Sequence, residues 1–224
     1  MNVLIVGYGK MGRLIDALAT EQGIGVAGRV DDGRDEWRPA DVAIDFTTAD
    51  ALLANFPRYL QLKMPVVIGT TGWGQDAASL REQTEKAGLG VVASANFSIG
   101  VNIFQLVVNE AARLMRQQPQ YGAWIHEAHH ASKRDAPSGT ALMLRDGMVS
   151  AQFDRPIDMS ATRAGTIPGV HTVGFDAASD TIELSHTARD RRGFAGGALL
   201  AARWVVGRQG WFTMADVLKT SAST

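Results

Sequence analysis

Near its start the chain reads Val3-Leu4-Ile5-Val6-Gly7-Tyr8-Gly9-Lys10-Met11-Gly12, and the architecture follows from how those residues are taken. Val3 to Val6 is wholly apolar and rich in β-branched side chains, as a strand buried on both faces of a parallel sheet should be. Gly7 to Gly12 then spells Gly-x-Gly-x-x-Gly, after which Met11, Leu14, Ile15 and Leu18 recur at helical spacing. The glycines therefore sit where a strand ends and a helix begins. There they allow a tight turn and a close approach of backbone to a pyrophosphate, which makes Gly7, Tyr8, Gly9, Lys10, Met11 and Gly12 candidate dinucleotide contacts. Glycines in turns are mostly turn residues and no more, so the flanking strand and helix carry this reading.

Outward from that run, Gly25 to Val30 reads as a second strand ending at Asp31 and Asp32. That is about 20 residues past the last motif glycine, where this fold keeps the acid that binds a ribose hydroxyl. Asp31 is the candidate, against the plainer reading of a solvated turn acid. An acid there favours NAD, whereas Arg29 or Arg34 nearby suits the 2′-phosphate of NADP, so the cofactor is NADH or NADPH. Val42 to Phe46 is a third strand, a helix follows through Leu52, Phe56 and Leu60, and Val66 to Ile68 is a fourth strand running into Gly69-Thr70-Thr71-Gly72. After a helix near Asp76 to Ala87, the strand Val91 to Ala93 leads to Ser94-Ala95-Asn96-Phe97. This alternation implies an α/β, Rossmann-type, doubly wound parallel sheet, and both loops lie at carboxyl ends of strands, where such sheets bind ligands. Phe97 suits the core as well as a site.

Composition narrows the function. With 224 residues, 46% hydrophobic and 20% charged, the chain can bury one large core or two modest ones. A net charge of -1 gives no reason to expect nucleic acid or an anionic membrane as partner. There are no cysteines, which excludes a disulfide framework, thiolate metal ligation and a cysteine nucleophile. Neither a signal-peptide pattern nor a bilayer-spanning apolar run is present, so the cytoplasm is the expected location.

Beyond a long helical pattern from Ile99 to Gln117, the character of the chain changes. Trp124 to Ala128 reads as a strand delivering His129 and His130, a helix runs from Ser138 to about Met148, and three β-rich stretches follow at 158–163, 170–175 and 181–187. Strands joined by short links argue for an antiparallel or mixed sheet, hence a smaller α+β domain. Phe194 to Val206 reads as the final helix, and 221–224 as a frayed end. The chemistry concentrates in Glu127 to Thr140, where two imidazoles and the Lys133 ammonium precede a helix-opening turn. Ser138 is a good N-cap, and the amides of Gly139 and Thr140 are orphan donors suited to a carboxylate. That set suits acid catalysis on a small acidic substrate. His126, His129 and His130 as metal ligands is a weaker reading, because adjacent strand residues point oppositely and no carboxylate cluster completes a set, so no metal is expected. Structural histidines at a sheet edge are the bland alternative.

The run Glu127-Ala128-His129-His130-x-x-Lys133-x-Asp135-Ala136-Pro137-Ser138-Gly139-Thr140-Ala141 resembles the signature of dihydrodipicolinate reductases, enzymes of the diaminopimelate and lysine pathway. Later blocks around Arg163-Ala164-Gly165 and Glu183 to Ala198 extend the resemblance nearly end to end. It implies reduction of a cyclic imine dicarboxylate, 4-hydroxy-tetrahydrodipicolinate, by hydride from NADH or NADPH. It further implies His129 as proton donor, Lys133 as second acid and electrostatic partner, and His130, Ser138, Gly139, Thr140 and Arg191 as substrate contacts. Gly69, Thr70 and Thr71 then touch the nicotinamide side of the cofactor, with Ser94, Ala95, Asn96 and Phe97 as a second such loop. Asp135 is expected to orient Lys133, and Arg134 to be solvated. The resemblance also implies a homotetramer and a discontinuous nucleotide domain, 1–97 with 192–224, around a substrate and oligomerisation domain, 98–191. The sequence departs in reading Gly169-Val170-His171 where the family has Gly-Glu-His, and in a short segment between Phe153 and Arg163. Of the rivals, a related semialdehyde dehydrogenase needs the cysteine this chain lacks, and a catalytically silent nucleotide-binding scaffold stands as the alternative.

Overall fold

The computed structural model describes residues 1–32 and 35–221. Arg34, weighed above as a phosphate partner, and the tail 222–224 lie outside them. In chain order the elements are β1 (Asn2–Val6), α1 (Lys10–Glu21), β2 (Gly25–Val30), β3 (Val42–Asp45), α2 (Ala49–Gln61), β4 (Val66–Ile68), α3 (Ala77–Ala87), β5 (Gly90–Ala93) and α4 (Ile99–Met115). They continue with β6 (Gly122–His129), α5 (Gly139–Ser150), β7 (Ile157–Arg163), β8 (Val170–Asp176), β9 (Thr181–Thr187), α6 (Arg192–Val205), β10 (Gly210–Phe212) and α7 (Met214–Ser221). The chain divides into two compact units, Met1–Ile99 with Arg191–Thr224, and Gly100–Asp190.

The first unit is built on a six-stranded sheet in the order β10-β5-β4-β3-β1-β2, every pairing parallel. Alternation along β1 divides its core. Val3 and Ile5 face a cluster with Ile15 and Ala19 of α1, Ala198 and Ala202 of α6 and Val217 of α7, while Leu4 and Val6 face Leu52, Phe56 and Tyr59 of α2 and Leu80 of α3. Helices thus cover both faces, as a doubly wound sheet requires. Because β2 and β3 lie on opposite sides of β1, the order reverses there, and the carboxyl ends of β1 and β3 frame the crevice where such sheets take ligands. One expectation fails. The helix read as final is followed by β10 and α7, and β10 is a three-residue edge strand defined only by its pairing with β5, Gly210 to Phe212 against Gly90 to Val92.

The second unit carries a mixed sheet in the order β7-β6-β8-β9, with β6 parallel to β7 and the other pairs antiparallel. Ala123 and Ile125 of β6 and Val173 and Phe175 of β8 pack under Phe104, Val108 and Ala112 of α4 and Ala141, Leu144 and Met148 of α5. The short segment after Phe153 is held by Arg155, which donates to the carbonyls of Tyr121, Arg116 and Met115 at 2.8, 3.4 and 2.7 Å and lies over the Phe153 ring. Brief as it is, the segment feeds β7 into seven registered pairs with β6.

Candidate active site

In the first unit, the Gly-x-Gly-x-x-Gly turn joins β1 to α1 at the reversal point. Gly7 adopts φ +89°, and a Cβ there would run into the Phe46 carbonyl. At Gly12 a Cβ would strike the Gly7 carbonyl, so this glycine lets the helix approach the turn. Gly9 has no heavy atom within 4 Å of where a Cβ would be, and α1 has no acid in its first turn. A helix N-terminus with an open backbone beside it suits a diphosphate, so the residues present fit a dinucleotide. Asp31 follows β2, and its Oδ1 accepts from the Tyr8 amide at 2.8 Å, which ties the acid to the turn. Arg29 is not a free phosphate partner. Its Nε and Nη2 donate to Asp16 at 2.7 Å each, the Tyr8 hydroxyl donates to the same carboxylate, and the guanidinium holds Asp16 below the usual carboxylate range although burial opposes this.

Thr70, Thr71, Ser94 and Ala95 line a cleft of about 250 Å³ with Gly72 and Trp211. One of its lining residues, Thr70, is held by a buried acid that sequence reasoning passed over. Asp45 closes β3 and accepts from Tyr59 Oη at 2.7 Å, Thr70 Oγ1 at 2.8 Å and Thr47 Oγ1 at 2.7 Å. Burial, then the neighbouring Asp45, push the Tyr59 hydroxyl well above its ordinary value, so it stays a donor. In the other loop, Ser94 Oγ donates to Asn96 O at 2.8 Å and Asn96 Oδ1 accepts from Ser98 N at 2.8 Å. Phe97 is 1% exposed and meets Phe46 edge-on, so its ring belongs to the core and leaves only backbone for a ligand.

In the second unit, strand alternation turns Glu127 and His129 to the same buried side, while His130 faces the other way with Nδ1 2.8 Å from Ser132 Oγ. Pairing across the sheet sets His129 beside Arg163 of β7 and Glu127 beside His171 of β8. Glu127 Oε1 accepts from Ser138 N at 2.9 Å and Arg163 Nη2 at 2.7 Å, and its Oε2 lies 3.4 Å from His129 Nδ1 and 3.5 Å from His171 Nε2. Burial alone would raise this carboxyl, but the Ser138 and Arg163 donors outweigh it and hold Glu127 ionised. Burial lowers His129, with Glu127 pulling the other way and Lys133 and Arg163 adding to the fall. His171 drops further, to about 4, through burial and then the His129 charge.

Lys133 Nζ donates to both oxygens of Asp135, at 2.7 and 2.8 Å, and Arg163 Nη2 donates to the Asp135 carbonyl at 2.6 Å, so the loop presents its ammonium in a fixed place. Arg134 is exposed. Ser138 caps α5, accepting from Ala141 N at 3.2 Å, and its hydroxyl also lies 3.1 Å from His171 Nε2. With its amide on Glu127 as well, Ser138 is fully engaged, and the donors left for an anion are Gly139 and Thr140, the first residues of the helix. Arg191 stands at the N-cap of α6, in the first unit.

Two family models match, dihydrodipicolinate reductase, N-terminus, over residues 20–97 and dihydrodipicolinate reductase, C-terminus, over 100–218. A 4-hydroxy-tetrahydrodipicolinate reductase from Christiangramia forsetii is 36% identical across 97% of this chain and 98% of its own length. This chain belongs to the dihydrodipicolinate reductase family. Another 4-hydroxy-tetrahydrodipicolinate reductase, from Methanoregula boonei, is 40% identical over 80% of this chain and 74% of its own. Among solved structures, a dipicolinate-bound dihydrodipicolinate reductase from Paenisporosarcina sp. TG-14 shares the fold, with a TM-score of 0.82 over 95% of this chain and 97% of its own at 19% identity. As an oxidoreductase of this family the chain takes a nicotinamide dinucleotide.

Glu127, Arg163, His171 and Asp45 are the reductase residues that sequence reasoning left out of the site. The signal for Glu127 was present, since i and i+2 share a strand face, whereas His171 and Arg163 arrive by pairing with distant strands. Among the described residues, Glu127, His129 and His171 are the group whose spacing could hold a metal ion, their ligand atoms lying within 4.8 Å of one another. The carboxylate missing from the sequence argument is therefore there. Its charge is already met by the Arg163 guanidinium, and Lys133 adds a second cation to the field at His129, so a divalent ion would enter against two positive charges. The donor set suits proton handling better.

Proposed function

We propose that this chain reduces 4-hydroxy-tetrahydrodipicolinate to tetrahydrodipicolinate in diaminopimelate and lysine biosynthesis. The observation that carries this is the Glu127 carboxylate, which bonds the first turn of α5 through Ser138 and faces the His129 imidazole, so that an anion cradle and a proton donor form one rigid piece. Gly139, Thr140 and Lys133 hold substrate carboxylates, with His130 and Arg191 as further contacts. A reduced nicotinamide, when bound, would supply the hydride that the ring takes up. His129 donates the proton that neutralises the charge left there, and Lys133 stabilises that charge as it develops. Gly7 to Gly12, Asp31, Gly69, Thr70, Thr71 and the Ser94 to Phe97 loop hold the dinucleotide.

Within that reading the dinucleotide is preferentially NADH. Asp31 follows β2 at the place where a free 2′-hydroxyl binds, and Arg29 is engaged by Asp16. The second unit carries the subunit contacts of a homotetramer, since its sheet leaves one face without helices, bearing Trp124, His126 with Ser160, and Thr172 with Ser185. Among the described residues no helix is long and apolar enough to cross a membrane, and we place the enzyme in the cytoplasm, with its dinucleotide. Steady-state oxidation of NADH and NADPH with the cyclic substrate tests the assignment. NADH is expected to be preferred, and Asp31→Ser to shift the ratio of kcat/KM values toward NADPH by about tenfold. Turnover with neither cofactor contradicts the assignment, and a variant with an unchanged ratio contradicts the role of Asp31.

A further inference from the structure

Glu127 Oε2 and His129 Nδ1 are both fully buried and neither makes a regular hydrogen bond; they face each other at 3.4 Å, with His171 Nε2 3.5 Å from the same oxygen. The other oxygen of Glu127 is occupied by Ser138 N and Arg163 Nη2, and the nearest polar neighbour of His171 Nε2 is Ser138 Oγ at 3.1 Å. The opposite edge of the His129 ring, Nε2 and Cδ2, lies against Gly169, where even a Cβ would come within 3.3 Å. That edge is uncrowded only because residue 169 has no side chain. The ring is 5.0 Å from His171, centroid to centroid, and nearly perpendicular to it.

We propose that Glu127 is the positioning residue of His129: its Oε2 holds the Nδ1–H, so the proton passed to substrate leaves from Nε2. The proposal rests on the reductase reading for the identity of the acceptor. In the step, the Nε2–H bond of the imidazolium breaks and its electron pair stays on Nε2. The proton bonds to the ring atom carrying the charge left by hydride addition, and the neutral imidazole keeps its Nδ1–H on Glu127. A buried carboxylate in that place fixes the tautomer before and after transfer and favours the charged, donating form. The groups facing His129 are Glu127 on its own strand, Lys133 and Asp135 on the following loop, Arg163 on β7 and His171 on β8. Of these, Glu127 is the anion nearest the ring, and without it the Arg163 guanidinium stands uncompensated beside the imidazole.

The test joins nitrogen NMR of the histidine-labelled full chain to the pH dependence of kcat/KM, with His129→Gln identifying the resonances. Wild-type His129, when neutral, is expected to be the Nδ1–H tautomer. Glu127→Gln is expected to move the falling limb of kcat/KM to lower pH by about one unit, because both the lost anion and the bare Arg163 disfavour the imidazolium. Glu127→Asp, which keeps the charge, should leave the limb near its wild-type position. A wild-type Nε2–H tautomer overturns the proposal without any variant, and so does a limb that Glu127→Gln lowers in height but does not move. If Glu127→Gln fails to fold, the wild-type tautomer and Glu127→Asp still decide it. If wild type consumes no dinucleotide, the reductase reading fails, while the tautomer still reports on Glu127.

Discussion

His171 makes the second unit acid-sensitive in a way that can be worked out beforehand. It is 5% exposed, and burial followed by the charge of His129 brings it from its ordinary 6.5 to about 4. A histidine depressed on folding is neutral in the native state while the unfolded chain still takes the proton, so its contribution is complete above 6.5 and is lost as pH falls from 6.5 towards 4. A tenfold difference in proton affinity between the unfolded and native chain is worth about 1.4 kcal/mol, which makes the part lost between pH 7 and pH 5 about 2 kcal/mol. His171→Gln keeps a polar partner for Ser138 Oγ but cannot titrate. Urea unfolding of both proteins at pH 7 and pH 5, at one protein concentration, isolates the effect, because every other acid-sensitive group contributes to both. Wild type should lose about 2 kcal/mol more than the variant over that interval. Equal losses would refute the account of His171 as a buried neutral base.

Other consequences are similarly direct. Gly12→Ala drives a Cβ into the Gly7 carbonyl, so dinucleotide affinity should fall by about tenfold or more while circular dichroism stays native, as equilibrium fluorescence titration would register. Tyr59→Phe removes the donor to Asp45 Oδ2 and leaves a buried carboxylate oxygen short of a partner; thermal unfolding should show a loss of about 1.5–3 kcal/mol, and an unchanged midpoint would mean that the Asp45 network does not support the cleft.

Much of this was readable from residues alone, for reasons that differ by region. The apolar run Val3 to Val6 and the glycines after it announce a parallel strand and its turn because both signals are local. Strand β10 is not local in that sense, since Gly210-Trp211-Phe212 becomes a strand only by lying alongside β5. Residue type drew the candidate site to Glu127 to Thr140, but which groups stand together there depends on pairing. Arg29 looked free for a phosphate until the structure joined it to Asp16, and Ser138 looked like a substrate donor until its amide and hydroxyl were found engaged. His171 enters through its register with Glu127, 44 positions earlier in the chain, which no local pattern encodes.

The most direct test of the central claim is single-turnover consumption of reduced dinucleotide by wild type, His129→Gln and Lys133→Met, with substrate generated in place from pyruvate and aspartate semialdehyde by the preceding synthase. Wild type should oxidise the cofactor, and each variant should lose about 10²–10⁴-fold in rate while binding the dinucleotide within about twofold of wild type. A His129→Gln enzyme as fast as wild type would remove the imidazole from the chemistry. A wild type that binds dinucleotide and substrate but never consumes either would leave a silent nucleotide-binding scaffold in place of a reductase.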